Sequence, residues 1–113
     1  MYSEIPLKTT DGNEKPFKFL SNGMTAYRYQ QLFHEDLMLK LSKFEKEADY
    51  SLADKLAFVM NCQAEGKDMK TLNVEDFYKW LEQFESVEIL LNAEKIVQLY
   101  AGSKVSNIVA KKN

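Results

Sequence analysis

The feature that most constrains this chain is a change of period at Ser21-Asn22-Gly23. Before it, Ile5-Pro6-Leu7 and Phe17-Lys18-Phe19-Leu20 flank a polar stretch that holds Asp11-Gly12-Asn13, a turn composition. Phe17 and Phe19 straddle Lys18, the period of two of a half-buried strand. After it, apolar residues recur every three to four positions, the period of a helix. Two short strands are marginal in water by themselves, so the hairpin has to lean on the helices. Pro6 and Pro16 donate no ladder hydrogen bonds and belong at strand starts or edges. A chain of 113 residues has room for one core and buries roughly two-thirds of its unfolded surface. The expected fold is mainly α, a small bundle of four to five helices with a short N-terminal β-hairpin. Residues 1–102 form one helical domain that includes the hairpin (1–20), and 103–113 form a flexible tail.

Within the helical part, Met24, Tyr27, Arg28 and Gln31 line one stripe, with Tyr29, Leu32 and Phe33 on the next. His34-Glu35-Asp36 interrupts, its acids suited to the positive end of a second helix that carries Leu37, Met38, Leu41 and Phe44; one kinked helix and two separate ones both fit. Ser51, three residues before Asp54, is a variant capping box. It opens a helix whose face is Leu52, Leu56, Val59, Met60 and Gln63, stopped at Gly66. Asn73 and Asp76 repeat the device ahead of Phe77, Trp80, Leu81 and Phe84. Ser86 breaks and recaps before Val87, Leu90, Leu91, Ile96, Val97 and Tyr100, and Gly102 ends that helix.

Composition narrows the function classes. Hydrophobic residues make up 45% and charged residues 28%, ordinary for a globular chain and unlike a disordered one. A net charge of −2 gives no electrostatic case for nucleic acid, and no apolar run approaches a membrane span. Glu4 and Pro6 stand where a secretion signal would need apolar residues, and the single cysteine, Cys62, fits a reducing compartment. Catalytic chemistry is sparse. His34 is the only histidine, and no spacing supplies it with metal-ligand partners. A Cys62–His34 nucleophile pair needs the fold to join distant helices, whereas a lone cysteine is ordinarily an apolar filler. No cofactor or metal is expected. Glu35/Asp36 and Glu75/Asp76 sit at helix starts, where the macrodipole favours them. Glu65, Asp68, Glu75, Asp76, Glu82, Glu85, Glu88 and Glu94 outnumber Lys67, Lys70 and Lys79; they form either a solvated face or a surface that orients a basic partner.

Aromatic and sulfur-bearing side chains are the unusual component. Seven phenylalanines, six tyrosines, one tryptophan and five methionines exceed what so small a core needs. Tyr27, Tyr29, Phe33, Tyr78 and Trp80 combine apolar bodies with polar neighbours, the type enriched where proteins bind proteins, and methionines add adaptable apolar surface. By elimination the chain reads as a binding module.

The run Thr25-Ala26-Tyr27-Arg28-Tyr29-Gln30-Gln31-Leu32-Phe33-His34-Glu35-Asp36-Leu37 resembles the opening helix of the small tail assembly chaperones of long-tailed (siphovirus) bacteriophages and prophages of Gram-positive bacteria. Leu52 to Met60 looks like that family's alanine-rich second block, and Phe77 to Phe84 is similar to its late aromatic segment. The likeness spans about residues 17–101 in the right order. One departure is that relatives often carry glycine directly after the phenylalanine, where this chain has His34.

The resemblance implies a mainly α-helical protein without catalysis, made in the host bacterial cytoplasm and absent from the mature virion. It would bind the tape measure protein, keep that long helical chain soluble, and yield to the major tail protein as the tube polymerises. It also implies that a frameshift-extended longer form, or self-association, can occur. Lys111-Lys112-Asn113 is compatible with an adenine-rich slippery run in the gene, and equally with a solvated lysine tail. Tyr27, Tyr29, Phe33, Leu37 and Trp80 are the candidate partner-binding residues. The alternative is a small regulatory adaptor that docks on a phage or host protein through its acidic face; an enzyme comes third.

Overall fold

A computed structural model describes residues 1–102. The expected flexible tail, 103–113, lies outside the described residues. The chain forms a two-stranded antiparallel hairpin, β1 (Tyr2–Lys8) and β2 (Glu14–Leu20), followed by six helices. These are α1 (Thr25–Phe33), α2 (Leu37–Glu47), α3 (Ala53–Ala64), α4 (Val74–Leu81), α5 (Glu88–Leu91) and α6 (Ala93–Ala101). The mainly α architecture with an N-terminal hairpin is the expected one. The extra helix arises because the Val87–Tyr100 segment is divided at Asn92.

The hairpin register explains its prolines. Thr9 N donates to Asn13 O at 2.9 Å and Ser21 N to Met1 O at 2.8 Å, which makes the odd positions of β1 the hydrogen-bonded ones. Pro6 faces Pro16 and therefore occupies a pair whose N–H groups would point outward, so neither missing donor costs a ladder bond. Ile5, Leu7 and Phe19 are buried on the inner face, and Phe17 lies over Phe84 with ring centroids 4.9 Å apart. The turn is held by Asp11, whose carboxylate accepts from the Thr9 hydroxyl and the Asn13 N–H. These bonds keep the Asp11 carboxyl well below the usual range.

Helix α3 is the axle of the fold. Nine of its twelve residues are buried, so it is enclosed nearly all round rather than along the single face its spacing suggests. It packs against β2, α1, α4, α5 and α6. Its two buried amides close the open edge of the sheet. Asn61 Nδ2 donates to Lys18 O at 2.8 Å and Gln63 Nε2 to Leu20 O at 2.6 Å; both carbonyls belong to the outward-pointing set of β2. The far end of β1 is closed from the other side. Thr10 N donates to Gln83 O, Glu85 N to Lys8 O, and Lys8 N to the buried Glu88 carboxylate at 2.9 Å. Among the described residues no buried side-chain polar atom lacks a hydrogen-bond partner.

The helix ends settle what spacing left open. α1 and α2 are two helices, because His34 takes a left-handed φ of +56° and donates its N–H to Gln30 O. Asp36 caps α2 through the Met38 and Leu39 amides. Asn73 and Asp76 form the reciprocal capping box, both bonds 3.0 Å long. Ser51 does not cap α3, whose N-cap is Leu52; its own N–H is held by Asp49 instead. Ser86 likewise does not cap α5, which starts after Val87.

Candidate interaction surface

The five residues proposed for partner contact divide sharply. Tyr27 is 64% exposed and free to touch a partner, whereas Tyr29 and Leu37 are buried in the main core. In this conformation neither of the two buried side chains is open to a partner: on α1, Tyr29 lies two residues, or about 200°, from Tyr27 and faces the opposite way. The Tyr29 hydroxyl donates to Glu35 Oε1 at 2.8 Å, and burial and that carboxylate together push its pKa up. Phe33 is half-buried, edge-on to Tyr29 and Phe77 at 5.4 and 4.9 Å, with Lys55 Nζ 5.6 Å above its ring. Trp80 is half-buried on Phe58 and Phe84 and donates its indole N–H to Asn61 Oδ1 at 2.9 Å. Both rings serve the core along most of their surface.

Glu35 sits at the junction of α1, α2 and α3. Burial raises its pKa, but hydrogen bonds from Lys55 and Tyr29, with the charges of Lys55 and Lys40, outweigh that and lower it overall. The Lys55–Glu35 pair is 2.7 Å long. Cys62 is buried, and burial pushes its thiol up to about 11, which keeps it in the unreactive protonated form. His34 is exposed at the end of α1. Among the described residues no group of three or more His, Cys, Asp or Glu side chains could hold a metal ion. No helix there is long and apolar enough to cross a membrane.

The acidic stretch is less of a free face than its composition suggests. Glu88 is buried against β1 and Asn92, Asp76 is consumed in the α4 cap, and Asp68 holds the Lys70 N–H. The apolar surface, in contrast, is larger than spacing suggests. Met38 and Leu39 on α2 are 64% and 56% exposed, and Leu90 and Leu91 on α5 are 52% and 74% exposed. Tyr50, Tyr78 and Val87 are exposed too.

The sequence places Leu90 and Leu91 on one helical segment with Ile96 and Val97, without separating surface from core. The signal that separates them was present: Ile89, Ala93, Ile96 and Val97 form an i, i+4, i+7, i+8 stripe, and all four are buried. Val87, Leu90 and Leu91 fall off that stripe. Beside them a groove of about 410 Å³ lies between the α2–α3 turn and the α4–α5 segment. Its apolar lining is Tyr50, Leu81, Phe84, Ile89 and Leu90. No protein-family model, curated protein or solved structure matches this chain.

Proposed function

We propose that this chain is a tail assembly chaperone that coats the tape measure protein of a long-tailed phage, holds it soluble, and hands it to the major tail protein. The observation that carries this reading is the apolar surface. Among the described residues every buried side-chain polar atom has a hydrogen-bond partner, yet Tyr27, Met38, Leu39, Leu90 and Leu91 are exposed, and exposed apolar patches mark places where another chain docks. A second observation favours the resemblance itself. His34 occupies a left-handed position, the conformation that favours glycine, and glycine is what the resembled family often carries there.

The chemistry suits the task. A long helix with exposed apolar stripes aggregates unless masked, and an apolar surface can accept such a helix through anchors at i, i+3, i+4 and i+7. Many copies along one chain supply avidity while each contact stays weak enough to be displaced. Such a chaperone works in the host cytoplasm and leaves before the virion is complete. A frameshift-extended form or self-association belongs to the same proposal.

The test is co-expression with the neighbouring gene for a long helical protein, followed by a solubility assay and pull-down. The partner is expected to be soluble only with this chain present and to carry it along. A partner that stays insoluble and unbound contradicts the proposal and moves the acidic-face adaptor ahead of it.

A further inference from the structure

The groove beside α5 carries a more specific statement. Its aromatic parts are fixed by their neighbours: Tyr50 meets Phe44 edge-on at 5.2 Å, and Phe84 is held between Phe17 and Trp80 at 4.9 and 4.8 Å. A binding surface whose side chains are already immobilised loses little entropy when filled. The apolar area continues out of the groove along Val87, Leu90 and Leu91, which share one side of a helical turn at i, i+3 and i+4. Its volume suits a few anchor side chains and not a whole helix, so an occupant would lie across it and insert part of itself.

Charge then selects among apolar occupants. Asp54 and Glu85 line the groove, and among the described residues no lysine or arginine does. Asp54 is half-buried. Its burial raises the carboxyl pKa against a smaller pull from Lys55, and the Lys55 ammonium is committed to Glu35. A cation brought by a ligand would meet two carboxylates that no basic side chain of the groove answers.

We infer that this groove docks an amphipathic helical segment of a partner protein, with an aliphatic stripe laid on Leu90 and Leu91 and a lysine or arginine flank set against Asp54 and Glu85. The choice of a helical protein as occupant rests on the proposed function above; the position and charge preference rest on the groove alone.

The test is an NMR titration of the full chain with a synthetic leucine–lysine amphipathic helix and with its leucine–glutamate counterpart. The lysine peptide is expected to shift the signals of Tyr50, Phe84 and Leu90, and to bind about tenfold or more tightly than the glutamate peptide. Two variants at exposed positions, Leu90→Ser and Glu85→Lys, should each weaken the lysine peptide about tenfold, while Tyr27→Ser leaves it unchanged. Equal binding of both peptides, shifts centred elsewhere, or unaltered affinity in both groove variants overturns the inference. So do concentration-dependent shifts of the same signals without peptide, which assign the groove to a second copy of this chain. The titration does not involve any assembly partner. A bound lysine peptide with an insoluble co-expressed partner removes the chaperone reading and keeps the groove; a soluble partner with an inert groove does the reverse.

Discussion

Helices α3 and α5 are both rich in aliphatic side chains, yet one is sealed and the other is open. α3 buries Leu56, Phe58, Val59 and Met60, and turns even its amides to use against β2. α5 buries Glu88 and Ile89 and leaves Leu90 and Leu91 outside. The difference comes from what surrounds each. α3 is enclosed by a strand and four helices, whereas α5 is a single turn pinned at its base by the Glu88 carboxylate on Lys8 N. Apolar content alone does not separate the two; enclosure does. The sealed helix holds the fold, and the open one leaves Leu90 and Leu91 on the surface where docking is proposed.

The largest expected effect falls on the sealed side. Phe58→Ala should destabilise the domain by ~3–5 kcal/mol, whereas Leu91→Ala, at a surface away from packing, should stay within about 0.5 kcal/mol. Denaturant unfolding of the two variants compares them directly, and similar losses would erase the distinction between α3 and α5. Next in size is Asn61→Ala. It strips partners from Lys18 O and from the Trp80 indole and should cost about 1–3 kcal/mol, visible as a lower denaturation midpoint with an unchanged slope.

Two smaller effects sharpen the comparison. His34→Gly removes a side chain from a left-handed position at the cost of a more flexible unfolded chain, and should raise stability by about 0.5–1 kcal/mol. A loss of stability would show that the imidazole itself holds the α1–α2 turn. Asp54→Asn removes a carboxyl whose folded pKa is raised above 3.8, first by burial. A raised acid penalises the folded state most when ionised, so the penalty is full above the folded pKa and relieved as pH falls through it. The variant should therefore gain stability at neutral pH, and the gain should vanish below pH 3.8. Thermal unfolding at the two pH values reads this, and a gain that persists in acid would mean that the benefit is not electrostatic.

What the sequence disclosed, and what it hid, follows the reach of each interaction. The hairpin was legible because its period of two and its Asp11-Gly12-Asn13 turn are local, and the Asn73–Asp76 box because its reciprocal bonds span three residues. The same locality misled at Ser51 and Ser86, where the capping pattern exists but Asp49 holds the Ser51 N–H and α5 starts after Val87. The roles of Asn61 and Gln63 were not legible, since their carbonyl partners lie 43 residues away. Tyr27 and Tyr29 look alike as residue types; only the packing of α1 on α3 makes one a surface and the other a core residue. Leu90 and Leu91 fall off the local stripe of Ile89, Ala93, Ile96 and Val97; what local spacing did not show is that distant elements, α3 and β1, enclose that stripe and leave the other side open.

The most direct test of the account is the mass of the complex recovered from co-expression with a long helical partner, measured by light scattering at low and high salt. Several copies of this chain on one partner chain, retained at high salt with modest loss, is the result expected of an apolar coat with a thin acidic rim. A one-to-one complex that dissolves as salt rises would contradict it and assign the chain to recognition by charge.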